Sequence, residues 1–222
     1  MKKNKKIIIV IAVLIVVAIA CVLVVLINNQ NEKKQIEQAN IDEENGVSKL
    51  EALSEKLQND ESYSVSLTLN KDNQRTTSRK GSLAKVEIID EGKKQAYLVK
   101  DNTTYLLVDS TKKYYEYENT KTLLKDFENK IDELLNRNYV IGTEEIEGKN
   151  YKYEEFENIS TFIINYKRTI NDSDTKTRLY FDGNDLKYIK TYVGDVEQLL
   201  TVEIKHNNQK DSDFEIPEEY KK

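Results

Sequence analysis

Few side chains in this 222-residue sequence belong to the types that most enzymes use as nucleophile or base. It contains one histidine, His206, and one cysteine, Cys21. A nucleophilic triad needs a base beside its nucleophile, and no Gly-x-Ser-x-Gly elbow occurs anywhere in the chain. His206 stands next to two asparagines at the end of a predicted strand, which is typical of a surface histidine. We therefore predict no catalytic residues and a protein that is not an enzyme.

Acidic side chains are the other candidates for chemistry. Four aspartates recur at short spacings in predicted loops: Asp172, Asp174, Asp182 and Asp185. Neither pair is followed by EF-hand spacing, so capping of turns is the commoner use of such residues. Glu144 with Glu145, and Glu154 with Glu155, are neighbours in predicted strands and point to opposite faces, which argues against a glycosidase pair. Seven scattered glycines form no phosphate-binding loop. We predict neither a metal site nor a cofactor.

Tyrosine is abundant, with 14 residues against 5 phenylalanines and no tryptophan. Tyr115 and Tyr117 share one face of a predicted strand, as do Tyr188 and Tyr192, because alternate residues of a strand lie on the same side. Such pairs could line a binding cleft. The alternative is that they form core contacts or cross-strand aromatic pairs.

The clearest helical pattern outside the N-terminal region spans residues 122–137. Its apolar residues form one stripe at helical spacing: Leu123, Leu124, Phe127, Ile131, Leu134 and Leu135. A helix of this kind must bury its stripe against another apolar surface. A second amphipathic helix is predicted from Val47 to Leu57.

Strands account for most of the remaining chain. Runs with strand-like patterning, many joined by tight turns, cover residues 63–69, 82–89, 96–100, 103–108, 113–118, 139–147, 151–157, 162–169, 177–181, 186–193 and 198–205. The charged stretch 70–80 is interpreted as a long turn. Consecutive hairpins without intervening helices predict an antiparallel sheet of about ten strands in an α+β fold.

An apolar segment precedes this domain. Residues 7–27 are 21 apolar residues without Gly, Pro or charge, and as a helix they would reach roughly 30 Å, enough to cross a bilayer. Four lysines in residues 1–6 predict that this tail stays in the cytoplasm, so that a polar stalk, 28–45, and a domain, 46–222, lie outside. We predict a single-pass protein of the cell membrane.

Cys21 leaves a second form of anchoring open. The sequence Val-Ala-Ile-Ala-Cys at residues 17–21 resembles the lipobox of bacterial lipoproteins, in which the cysteine is acylated. Residues 22–27 remain apolar, whereas a lipoprotein usually becomes polar there. In the other interpretation Cys21 is a small apolar residue inside the membrane span.

The charge balance of the external part limits the classes of partner that it can bind. Without the four N-terminal lysines, 30 Lys and Arg stand against 39 Asp and Glu. This acidic balance argues against nucleic acid and against anionic lipid headgroups as partners. Since Cys21 is the only cysteine, the external part has no disulfide and no thiol nucleophile.

Four pieces of the sequence carry a resemblance to a known family. They are a helix leading into a strand (50–57 and 63–67), a tyrosine-punctuated meander (95–105 and 113–117), the segment RLYFDGNDLKY (178–188) and the ending DFEIPEEY (213–220). Together they resemble the LolA/LolB-like lipoprotein-carrier fold, including membrane-anchored relatives in Gram-positive bacteria. The resemblance implies a strongly curved antiparallel sheet, an open half-barrel, with helices over its concave side and acyl chains held between them.

The resemblance also implies a ligand site. The helix at 122–137 would plug the half-barrel, and the candidate residues for cavity or lid are Leu123, Phe127, Ile131, Leu134, Tyr115 and Tyr117. A membrane anchor excludes a diffusing shuttle. The sequence therefore predicts a tethered, extracytoplasmic binding protein for a lipid or lipoprotein acyl chain. A cell-envelope structural or protein-interaction module without a ligand cavity is the alternative, and a hydrolase is the third.

Overall fold

One open antiparallel sheet of eleven strands forms the frame of the protein. The structure, a computed structural model, describes residues 48–118, 125–164 and 175–222. The strands are β1 (Ser62–Asn70), β2 (Asn73–Lys80), β3 (Leu83–Asp90), β4 (Lys93–Lys100), β5 (Thr103–Val108), β6 (Lys113–Glu118), β7 (Val140–Ile146), β8 (Lys149–Glu157), β9 (Thr175–Asp182), β10 (Asp185–Val193) and β11 (Val196–His206). The helices are α1 (Lys49–Asn59) and α2 (Asp126–Leu135), followed near the C-terminus by a 3-10 turn (Asp211–Phe214). The predicted α+β class and antiparallel sheet are confirmed.

The strand order shows how two meanders are joined. It runs β6-β5-β4-β3-β2-β1-β11-β10-β9-β8-β7, so each meander is built from neighbours in sequence. The first and last strands, β1 and β11, pair at the centre, with Tyr63 opposite His206 and Leu67 opposite Val202. Consequently β6 and β7 are the two edges of the sheet.

One strand lies where the sequence predicted a turn. Strand β2 occupies most of the stretch 70–80, and that interpretation was wrong. The stretch has no apolar residue, so it lacks the alternation by which buried strands are recognised. The side chains that β2 turns toward the helices are Arg75, Thr77 and Arg79, which are in register with Leu67, Val65 and Tyr63 of β1. Conversely, the predicted strand at 162–169 is not a strand in its described part, 162–164.

Both helices pack on the same face of the sheet. Their buried residues join strands β1 and β8–β11 in one core: Leu50, Leu53, Leu57, Phe127, Ile131, Leu134, Tyr63, Val65, Leu67, Phe156, Leu179, Phe181, Leu186, Ile189, Leu200 and Val202. This is the apolar surface that the two amphipathic patterns required.

The C-terminal tail packs on the opposite face. Phe214 is fully buried there against Leu98 and Leu107, with Ile216 and Tyr220 beside it. The tail therefore covers one face of the first meander, while the helices lie on the opposite face of the sheet, over β1, β2 and β8–β11.

A buried glutamate caps α1. The Glu154 carboxylate accepts hydrogen bonds from the Lys49 backbone N–H (2.8 Å) and from the Ser48 hydroxyl (3.0 Å). The first N–H groups of a helix lack partners within the helix, and a carboxylate also suits the positive end of its dipole.

We expect Glu154→Gln to lower the free energy of unfolding by about 1 to 2 kcal/mol, the usual cost of losing a helix cap. The measurement is urea denaturation of the full-length chain followed by circular dichroism. Glu157→Gln, an exposed glutamate of the same strand, is the control. Equal effects of the two substitutions would show that the cap contributes no stability.

Within 48–118, 125–164 and 175–222, no helix is long and apolar enough to cross a membrane. The predicted span 7–27, Cys21 and the stalk 28–45 lie outside the described residues.

Candidate functional site

The residues predicted to line a ligand site fall into two separate groups. Phe127, Ile131 and Leu134 are at most 1% exposed and pack into the core, where the Phe127 ring lies 5.9 Å from that of Phe162. Leu123 lies outside the described residues. The apolar stripe of α2 therefore packs against other side chains of the protein along the described length of the helix.

Two clefts that described residues line lie away from the α2 stripe. One of about 400 Å³ borders the end of α2, with Arg137, Tyr139 and Glu157 in its wall. Another of about 370 Å³ lies between the sheet and Tyr220, beside Gln74. Neither includes a residue of the α2 stripe, and polar side chains dominate both.

Tyr115 and Tyr117 form the second group, on edge strand β6. They are 46% and 51% exposed, the two largest values among the big hydrophobic side chains of the described chain. They share one face, in register with Leu106 and Thr104 of β5. Four strand spacings separate β6 from β2, or about 19 Å along the sheet. The tyrosines therefore do not join α2 in a common site.

The C-terminal tail already pairs with part of this edge. The Lys221 N–H donates to the Lys112 carbonyl (2.9 Å), and the Tyr114 N–H donates to the Lys221 carbonyl (2.9 Å). The Lys222 ammonium then reaches the Glu116 carboxylate at 2.7 Å. Even-numbered residues of β6 consequently turn their backbone groups outward, toward a strand beyond the edge.

The rest of the edge carries an alternating set of side chains. From Tyr115 to Glu118, tyrosines occupy one face and glutamates the other, and all four residues are exposed. The tail pairs with this edge only through Lys221. No described residue forms a backbone hydrogen bond with the outward-facing N–H and C=O groups of Glu116 or Glu118. We call residues 115–118 the open β6 edge and treat it as the candidate functional site.

A second polar cluster joins α2 to β2. Arg75 binds the Asp126 carboxylate through two nitrogens, at 2.6 and 3.1 Å, and Lys130 adds a bond at 3.1 Å. Burial raises the pKa of Asp126, but the charges of Lys130 and Arg75 outweigh it and the pKa is lowered. Arg79 pairs with Glu128 at 2.5 Å. These contacts attach the helix to the strand that sequence analysis missed.

The third cluster lies on the face opposite the helices. Arg178 stacks between two rings, with its guanidinium 4.5 Å from the centre of Tyr153 and 5.3 Å from that of Tyr192. Gly142 permits this arrangement, because a Cβ there would lie 2.4 Å from Cζ of Tyr153. The predicted sharing of a face by Tyr188 and Tyr192 is confirmed. Tyr188 packs edge-on against Tyr151 at 5.2 Å, across the intervening strand β9.

Glu144 and Glu155, one from each of the two neighbouring glutamate pairs in the sequence, both bind Arg178. Glu144 accepts from Arg178 at 2.7 Å and from Lys190 at 2.6 Å, and Glu155 also binds Arg178. Burial raises the pKa of Glu144, yet hydrogen bonds from Lys190, Tyr180 and Arg178 prevail and lower it to about 2. Every charge in this network is paired, which suits a structural role.

The lowered pKa of Glu144 predicts that the free energy of unfolding depends on pH in the acid range. Because the folded pKa of Glu144 lies below its ordinary 4.5, its contribution to stability is complete above that pH and is lost as pH falls toward 2. We expect Glu144→Gln to flatten the dependence of unfolding free energy on pH between about 4.5 and 2. Urea denaturation across this range tests it, with exposed Glu203→Gln as the control. Parallel pH curves for wild type and Glu144→Gln would contradict the assignment.

The remaining chemical candidates do not converge. His206 Nδ1 binds the Asp60 carboxylate just beyond the end of α1. Asp182 pairs with Lys149 at 2.6 Å, and Asp185 with Lys187 at 3.3 Å. In the described part of the chain, no three His, Cys, Asp or Glu residues are grouped to hold a metal ion. Asp172 and Asp174 lie outside it.

Comparison with known proteins identifies no family. No protein-family model and no curated protein sequence matches the chain. A crystal structure of an uncharacterized conserved protein from Thermus thermophilus is similar, with a TM-score of 0.44 and 9% identity over 76% of this chain and 93% of that one.

Proposed function

We propose that this chain is a non-catalytic binding protein, tethered to the cell membrane, whose external domain engages a protein of the cell envelope. The observation that carries the proposal is that the two groups of candidate ligand residues differ in their exposure to solvent. The α2 stripe is buried in a packed core, whereas Tyr115 and Tyr117 are about half exposed on an edge strand. Exposed aromatic side chains on an open strand are typical of interaction sites.

The tether in this proposal rests on the sequence. Residues 7–27 are apolar throughout and follow four lysines, the pattern of a single span with its N-terminus in the cytoplasm. Acylation at Cys21 would hold the same domain on the same side of the membrane. In either form the domain stays near the membrane and meets partners there.

Binding of a lipid or acyl chain is the second candidate. It is favoured by the two helices on one face of an open antiparallel sheet, an arrangement similar to the curved half-barrel of the LolA/LolB-like family. In this proposal the sheet is strongly curved, the helices cover its concave side, and Leu123, Phe127, Ile131 and Leu134 move apart to admit the chain. The buried state of the last three makes this candidate secondary.

Site-specific photo-crosslinking tests the first candidate. A photoreactive phenylalanine replaces Tyr117 in the full-length chain in bacterial membranes, and Tyr139, at the other edge of the sheet, serves as a control position. We expect a discrete protein adduct at position 117 and none at 139. Absence of an adduct at 117 would overturn the interaction proposal.

Native mass spectrometry tests the second candidate. The chain is purified whole and then cut at a protease site introduced into residues 28–45, which separates the domain from lipids held by the anchor. A bound acyl lipid would establish the lipid-binding function. A domain without lipid that also fails to bind added fatty acid would remove that candidate.

A further inference from the structure

We infer that the open β6 edge binds an extended peptide segment as an additional strand, one in which basic residues alternate with apolar ones. This inference rests on the proposed function and specifies the chemistry of the partner. Strand addition supplies affinity through main-chain hydrogen bonds and specificity through alternate side chains.

The main-chain component is already used by the chain itself. Lys221 pairs in parallel with Lys113, forming two hydrogen bonds of 2.9 Å with the backbone of Lys112, just before β6, and of Tyr114 within it. The edge is thus accessible enough to accept a strand. The Tyr114 carbonyl and the outward-facing backbone groups of Glu116 and Glu118 extend the same row of donors and acceptors along the edge.

The side-chain component sets the composition of the partner. A strand added at this edge has one row of side chains beside Tyr115 and Tyr117 and the other row beside Glu116 and Glu118. Lys222 shows the preference of the acidic row, since its ammonium binds Glu116 at 2.7 Å. An added strand therefore fits when basic residues face the glutamates and apolar or aromatic residues face the tyrosines.

The same charges disfavour a second copy of the chain as the occupant. In antiparallel pairing of β6 with β6, glutamates of the two copies would stand on the same face as neighbours, which is destabilising. The opposite edge offers no better match, because β7 has no lysine or arginine that could face Glu116 and Glu118. A basic peptide of another protein complements the acidic row of the β6 edge, whereas neither β6 nor β7 of a second copy does.

A peptide titration tests the inference. The full-length chain in detergent micelles is titrated against a fluorescein-labelled peptide of alternating lysine and valine, and anisotropy reports binding. Three comparison peptides are used: glutamate in place of lysine, a scrambled order, and N-methylation of alternate backbone nitrogens. We expect the lysine–valine peptide to bind at least tenfold more tightly than each of the other three.

Protein variants locate the site. Glu116→Lys combined with Glu118→Lys is expected to reverse the preference, weakening the lysine peptide at least tenfold and admitting the glutamate peptide. Tyr117→Ser is expected to weaken the lysine peptide about fivefold. Glu203→Lys, an exposed glutamate on the face shared by Glu116, is the matched control and leaves binding unchanged.

Each contrary result has a defined meaning. Equal binding of the N-methylated peptide would overturn strand addition, because electrostatic adsorption does not require backbone donors. Equal binding by the Glu116→Lys, Glu118→Lys variant would overturn the assignment to β6. No peptide binding together with an adduct at position 117 would overturn the inference and leave the proposed function standing. Failure of both experiments would overturn both.

Discussion

Replacing Phe127 with alanine is expected to lower the free energy of unfolding by about 3 to 5 kcal/mol. The ring is 1% exposed and lies between the two helices and the sheet, so its removal leaves a cavity that the neighbours fill only in part. Because domains of this size are stable by roughly 5 to 15 kcal/mol, this is a large fraction of the total. The measurement is urea denaturation of the full-length chain.

The control for this prediction is Tyr117→Ala. This residue was predicted to belong to the same ligand site, but its side chain is half exposed on the β6 edge, so we expect a change of no more than about 0.5 kcal/mol. A small effect at Phe127 would instead indicate that α2 packs loosely. That result would favour the lipid-binding candidate over the interaction module.

Replacing Arg79 with methionine is expected to cost about 3 kcal/mol, because it removes the only ionic partner of Glu128 among the described residues. The Glu128 side chain is 7% exposed, so its charge would remain buried without a cation. Burial and the negative charge of Glu128 raise the pKa of the nearby Tyr63 hydroxyl, so this group stays neutral and supplies no positive charge in place of Arg79. Thermal and urea denaturation both report the change.

The double variant Arg79→Met, Glu128→Met is the essential comparison. It removes both charges and keeps apolar volume, so we expect most of the lost stability to return. Lys187→Met, which breaks an exposed pair with Asp185, should change stability by less than about 1 kcal/mol. If the double variant is as unstable as Arg79→Met alone, the ion pair is not the source of the loss.

The structure and the burial of the candidate ligand residues together separate the two proposed functions. The described residues form one open antiparallel sheet with helices on one face. Phe127, Ile131 and Leu134, which the sequence predicted to line a ligand cavity, are buried in the core on that face. The interaction proposal follows from their burial and from the exposed tyrosines of β6.

The sequence by itself determined the features that depend on local periodicity. Alternation placed Tyr63, Val65 and Leu67 in the core, and helical spacing identified the buried stripe of α2. Alternation also predicted that Glu154 and Glu155 separate, and they do: one caps α1 and the other binds Arg178. These features are readable because burial repeats every two residues in strands and about every 3.6 in helices.

Only the tertiary structure decided the features that depend on partners distant in sequence. One face of strand β2 can be buried only because Asp126 and Glu128 neutralise its arginines. These two acids lie in a helix some 50 residues later in the sequence. The convergence of Glu144 and Glu155 on Arg178 depends on strand order, and the exposure of Tyr115 and Tyr117 depends on β6 being an edge. Sequence spacing specifies which residues share a face, whereas the pairing of strands decides what that face meets.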